Sequence, residues 1–128
     1  MSLSKEQYDF IMRGYESRQL DNHHQLVKRR QRVYTLIPEY KLLEEEVAST
    51  SVERARMLID GDEAGLQDYR RRIANNASRR EALLAEHNLP SNYLDPIYTC
   101  SDCQDTGYIH REKCHCFRRQ EITLLYEQ

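Results

Sequence analysis

The chain has 128 residues, room for one ordinary domain or for one helical unit with a small appendage. Hydrophobic residues make up 39% and charged residues 31%, with no tryptophan and two phenylalanines, which excludes a large globular core and fits long amphipathic helices that each bury one stripe. A net charge of −2 excludes a domain-wide basic footprint for nucleic acid, and no apolar run approaches the roughly 20 residues of a membrane span. The amino terminus, MSLSKEQYDF, lacks the apolar centre of a signal peptide, so the expected compartment is the cytoplasm, where thiols stay reduced.

Ser4 followed by Gln7 is a capping-box pattern and predicts a helix start. Tyr8, Met12, Tyr15, Leu26, Val33 and Leu36 then recur at helical steps, with Ile11, Leu20 and Ile37 widening the stripe. Asp9 and Arg13 stand four apart in the favourable order for an ion pair. Pro38 removes a backbone donor and biases Ile37 away from helix, so a break is expected there. A second helix is expected from about Pro38 to Asp60, with Tyr40, Leu43, Val47, Ala55 and Leu58 as apolar positions.

Asp60-Gly61-Asp62 reads as a stop followed by a new cap. The third helix should run from about Glu63 to His87 on Leu66, Tyr69, Ile73, Ala77, Leu83 and Leu84, with Asp68 and Arg72 as a helical ion pair. A short turn at Gly61 makes the second and third helices an antiparallel hairpin. The expected fold class is therefore mainly α: a coiled-coil-like three-helix unit of long antiparallel helices over residues 1–88. Residues 89–128 would hold a linker, a small cysteine-bearing hairpin and a terminal helix. Asp105-Thr106-Gly107 marks a turn, Tyr108-Ile109-His110 a short strand, and Phe117, Ile122, Leu124 and Leu125 restore helical periodicity. That last helix meets neither cap nor breaker before Gln128, as expected of the front portion of a longer protein.

Cys100, Cys103, Cys114 and Cys116 are the only cysteines, spaced C-x-x-C, ten residues, C-x-C. Zinc takes four soft ligands at tetrahedral corners, with sulfur about 2.3 Å from the metal. Two close pairs meeting across a hairpin supply that arrangement, so one structural zinc on these four thiolates is expected. In an extended segment Cys114 and Cys116 would share a face while His115 points away. Arg111, Lys113, Arg118 and Arg119 are placed to offset the −2 charge of a tetrathiolate zinc. The alternatives are His110 or His115 in place of one cysteine, two disulfides in any of three pairings, or four free thiols. Metal loss should melt this segment and leave the helices largely intact.

Nothing resembles catalytic apparatus: GxxxxGK[ST], GxSxG and a Gly-rich phosphate loop are all missing from the sequence. The arginine runs at Lys28 to Arg32 and Arg70 to Arg72 read as charged helical faces, and His23 and His24 as solvated.

The stretch YTCSDCQDTGYIHREKCHCFRRQEITLLYEQ resembles the zinc-binding segment of DnaC/DnaI-type bacterial helicase loaders, AAA+ proteins of the primosome. The shared pattern falls on Cys100, Cys103, Asp105, Thr106, Gly107, Tyr108, Cys114, Cys116 and Phe117. SVERARMLIDGD at Ser51 to Asp62 is a looser likeness. The resemblance implies an adaptor in DNA replication that binds the hexameric replicative helicase, with nucleotide and single-stranded DNA bound by an ATPase domain beyond Gln128. This chain would then be no enzyme itself and would touch DNA weakly or not at all. The competing expectations are a nucleic-acid-binding zinc module working through Arg111, Lys113, Arg118 and Arg119, and a self-associating coiled coil with an incidental zinc clip.

Overall fold

The computed structural model describes residues 2–126. It is mainly helical, in the order α1 (Lys5–Leu36), α2 (Pro38–Ser49), α3 (Ser51–Asp60), α4 (Glu63–Glu86), β1 (Tyr108–Ile109), β2 (Glu112–Lys113) and α5 (His115–Tyr126). The expected end of the last helix at Gln128 lies outside the described residues. None of the described helices is long and apolar enough to cross a membrane.

The punctuation follows local chemistry. Gln7 N–H donates to Ser4 Oγ at 3.1 Å and Ser4 N–H to Gln7 Oε1 at 2.9 Å, the reciprocal capping box that opens α1. Pro38 occupies the first turn of α2, where its missing donor costs nothing. Gly61 closes α3 at φ 64°, in the left-handed region, and Asp62 then caps α4 by accepting from Gly65 N–H at 2.9 Å. Asp68 and Arg72 pair at 3.3 Å, whereas no ion pair joins Asp9 to Arg13 among the described residues.

The expected helix from Pro38 to Asp60 is two helices, broken at Thr50. The cause is the run Ser49-Thr50-Ser51. Each hydroxyl donates to a carbonyl three residues back, Glu46, Val47 and Ala48, at 2.8, 2.7 and 3.4 Å, competing with the helical ladder. Thr50 Oγ1 also lies 3.3 Å from the Tyr69 hydroxyl on α4.

The compact units do not part at residue 88. Arg29–Leu94 form one, and the residues up to Lys28 together with those from Asp95 form the other, so the boundary falls inside α1. In the Arg29–Leu94 unit, α4 runs antiparallel to α2 and α3: Arg72 meets Glu53 at 2.7 Å, Asn76 donates to the Leu43 carbonyl at 2.9 Å, and Arg79 meets Glu39 at 2.6 Å. The core there is Val33, Ile37, Tyr40, Leu83 and Leu84. Such exposed ion pairs contribute about 0–1 kcal/mol each, so the buried apolar side chains decide stability. Two expectations fail on α3: Ala55 and Leu58 are exposed, and no residue of this helix is buried. On α1, Leu20 and Leu36 are likewise exposed, while Ile11, Tyr15 and Val33 go inside, as does Ile37 at the break before α2.

Candidate metal centre

The cysteine segment is shaped first by Asp105. Its carboxylate is 1% exposed. Oδ1 accepts from Cys100 N–H at 2.8 Å, and Oδ2 accepts from Thr99 N–H at 2.9 Å and from Asn22 Nδ2 at 3.0 Å. Gln19 Nε2 donates to the Asp105 carbonyl at 2.7 Å. These bonds fold the chain around Cys100 and hold Gln104 and Asp105 in the left-handed region at φ 54° and 61°. Thr106 Oγ1 then donates to the Cys103 carbonyl at 2.7 Å.

Gly107 follows at φ 86°, and a Cβ there would lie 2.8 Å from Tyr15 Cε2 and 3.2 Å from Phe117 Cδ2. Both its backbone angle and its lack of a side chain are therefore required. β1 and β2 pair antiparallel, Tyr108 opposite Lys113, around a tight turn with His110 at φ 58°. Cys114 N–H donates to the Gly107 carbonyl at 2.9 Å, returning the chain to the first cysteine pair. α5 starts at once, so Cys114 ends the hairpin and Cys116 sits in the first helical turn. The extended C-x-C reading is thereby corrected.

All four sulfurs lie within 4.8 Å of one another, with Cys100 Sγ 3.8 Å from Cys114 Sγ and Cys103 Sγ 3.6 Å from Cys116 Sγ. A tetrahedron with metal–sulfur bonds of about 2.3 Å has edges of about 3.8 Å, so the cluster has the dimensions of a tetrathiolate site. The cysteines are free, and sulfurs this far apart are not disulfide-bonded, which takes about 2.05 Å. The electrostatics also suit a cation. Burial pushes the Cys114 thiol up and the Cys116 thiol up to about 12, so lone thiolates are disfavoured there. Cys100 differs: hydrogen bonding from the Cys103 backbone brings it down to about 7. A divalent ion compensates the buried negative charge that the protein alone does not. These residues fit a structural metal.

His115 does not point away. Its Nε2 is 2.7 Å from Asp102 Oδ2 and 3.9 Å from Cys100 Sγ, which places it beside one cysteine rather than among the four. With Cys100 and Asp102 it forms a second, more exposed group whose ligand atoms lie within 4.8 Å of one another, and His110 belongs to neither group. Of the four basic residues expected to offset the cluster, Lys113 is committed to Glu121 at 2.9 Å and lies 5.0 Å from the Phe117 ring centre. Arg119 lines an open cavity of about 400 Å³ beside Cys100 and Cys116, and so does Arg18, which the sequence did not single out.

Helix α1 supplies the rest of the surroundings. Ile11, Tyr15, Cys103, Cys114 and Phe117 form one buried cluster. Phe117 is enclosed by Tyr8, Tyr15 and Tyr108, at ring-centre distances of 5.9, 6.2 and 5.5 Å. The Tyr8 and Tyr108 hydroxyls meet at 3.1 Å, an interaction that pushes Tyr108 up to about 12. The Tyr15 hydroxyl reaches Cys116 Sγ at 2.9 Å.

Sequence reasoning named the four cysteines and missed Tyr15, Gln19, Asn22 and the structural role of Asp105. A polar acid inside the motif, next to a turn, was the available signal for Asp105; Gln19 and Asn22 carry none. No family model, curated protein or solved structure matches this chain.

Proposed function

We propose that this chain is the helicase-binding adaptor region of a DnaC/DnaI-type replicative helicase loader, with one structural zinc held by Cys100, Cys103, Cys114 and Cys116. The observation that carries the metal half is the sulfur cluster, whose 3.6 and 3.8 Å separations match the edge of a zinc tetrathiolate. Four protein ligands leave no coordination position for substrate, so the ion holds shape and does no chemistry. Its reduced thiols suit the cytoplasm.

The adaptor half rests on the motif from Cys100 to Phe117 and on what its residues do here. Asp105, Thr106, Gly107 and Phe117, four of the residues that carry the resemblance, each make a specific contact that builds the module, which supports reading this segment as one folded unit. The Arg29–Leu94 unit adds a surface for a protein partner. On α3, Val52 and Ile59 are 70% and 84% exposed, on the side away from Met57. The nucleic-acid reading is less favoured, because one of its four basic residues, Lys113, is neutralised by Glu121.

The test is capture of the purified hexameric helicase of the same cell by the tagged chain, without ATP, across a range of salt. Stoichiometric recovery is expected. No recovery at any salt concentration, or recovery only of DNA, would remove the adaptor reading.

A further inference from the structure

The zinc module does not stand beside α1; the amino-terminal part of α1 is built into it. Tyr8, Tyr15 and Asn22 fall seven residues apart, on one helical face, and Gln19 lies beside them. All four side chains reach the cysteine segment. Tyr8 meets Tyr108, Gln19 donates to the Asp105 carbonyl, Asn22 donates to the Asp105 carboxylate, and Tyr15 meets a metal ligand directly.

The Tyr15 contact has a defined direction. Gln120 Nε2 donates to the Tyr15 oxygen at 3.0 Å, which leaves the phenolic hydrogen free to point at Cys116 Sγ, 2.9 Å away. A metal-bound thiolate can only accept, so the hydroxyl donates. Gly107 lets the ring approach closely enough to make the bond. Conversely, the buried partners of Ile11 and Tyr15 are Phe117 and two of the ligands, Cys103 and Cys114. Loss of the metal dissolves the surface on which this part of α1 rests. An isolated stretch of helix this polar is marginal in water.

We propose that Tyr15 is an outer-shell positioning residue of the metal site and that it ties zinc occupancy to the order of α1 up to Lys28, making this arm a metal-dependent element. The proposal rests on the zinc reading above. It differs from the expectation that metal loss would spare the helices.

Hydrogen exchange read by mass spectrometry tests it on the full chain, zinc-loaded and chelator-stripped under reducing conditions. Stripping should remove amide protection from residues 98–117 and from residues 5–28 together, while α2 to α4 stay protected. A stripped chain whose residues 5–28 keep their protection overturns the proposal. Tyr15→Phe keeps the ring and loses the donor. It should still carry one zinc per chain but pass it to a chromophoric chelator about tenfold faster or more. Gln120→Leu, which frees the hydroxyl to turn, should change the rate in the same direction. Unchanged transfer in both variants overturns the role of Tyr15. A wild-type chain that binds no metal overturns the zinc reading itself, whereas metal bound with α1 unaffected overturns only this inference.

Discussion

Replacing Asp105 with asparagine alters one atom and nothing in shape, yet the bonding around it assigns the change a large cost. The carboxylate accepts three bonds, from Cys100 N–H at 2.8 Å, Thr99 N–H at 2.9 Å and Asn22 Nδ2 at 3.0 Å. An asparagine retains one acceptor oxygen. If that oxygen takes the Oδ2 place, the new amide group faces the Cys100 N–H, donor against donor; in the other orientation it faces two donors. A bond to a charged group is worth about 1.5–3 kcal/mol, and a buried unsatisfied donor costs about 1–3 kcal/mol, so a net loss of about 2–4 kcal/mol is expected. Where metal affinity is folding energy, that loss appears as zinc bound about 30- to 700-fold more weakly. Competition against a chromophoric chelator under reducing conditions measures it. Asp102→Asn is the control, because Asp102 is exposed and among the described residues its side chain pairs with His115 at the rim of the cluster, and zinc affinity should change less than about threefold. An Asp105→Asn protein within about threefold of wild type would refute the assignment of Asp105 as the residue that shapes the site.

Cys103→Ser should abolish stoichiometric zinc and raise hydrogen exchange across residues 98–117, checked by elemental analysis and exchange mass spectrometry. Gly107→Ala adds a left-handed strain of about 1–2 kcal/mol to a Cβ set 2.8 Å from Tyr15, so a destabilisation of about 2–4 kcal/mol is expected in thermal unfolding. Zinc affinity should fall with falling pH, because the thiols at Cys114 and Cys116, held high by burial, surrender protons on binding. The proton count per zinc, measured by calorimetry in buffers of different ionisation enthalpy, should rise by one on going below about pH 7, where Cys100 is protonated in the metal-free chain. Asn76→Ala should cost about 1–3 kcal/mol in the Arg29–Leu94 unit, since it removes a buried amide that donates to Leu43 and accepts from Arg80.

What the sequence made legible was chemistry that acts over a few residues. The Ser4–Gln7 box, the Pro38 break, the Gly61 stop with its Asp62 cap, and the C-x-x-C and C-x-C pairs are all local, and the structure has them. The break at Thr50 was local too, but it depends on three adjacent hydroxyls outbidding the helical ladder, where each alone is tolerated in a helix. The remaining differences come from contacts between distant residues. The burial of Asp105 depends on Asn22, and the choice of Tyr15 over Leu20 for the interior depends on a glycine gap 92 positions later at Gly107. Helical periodicity reads α1 as one uniform stripe and gives no sign that its two ends belong to different compact units.

The most direct test of the metal centre is X-ray absorption at the zinc edge of the purified protein, with the metal counted in the same sample. Four sulfur neighbours at about 2.3 Å and one zinc per chain are expected. A nitrogen in the shell would move His115 or His110 into the site, and substoichiometric zinc with oxidised thiols would contradict the structural metal altogether.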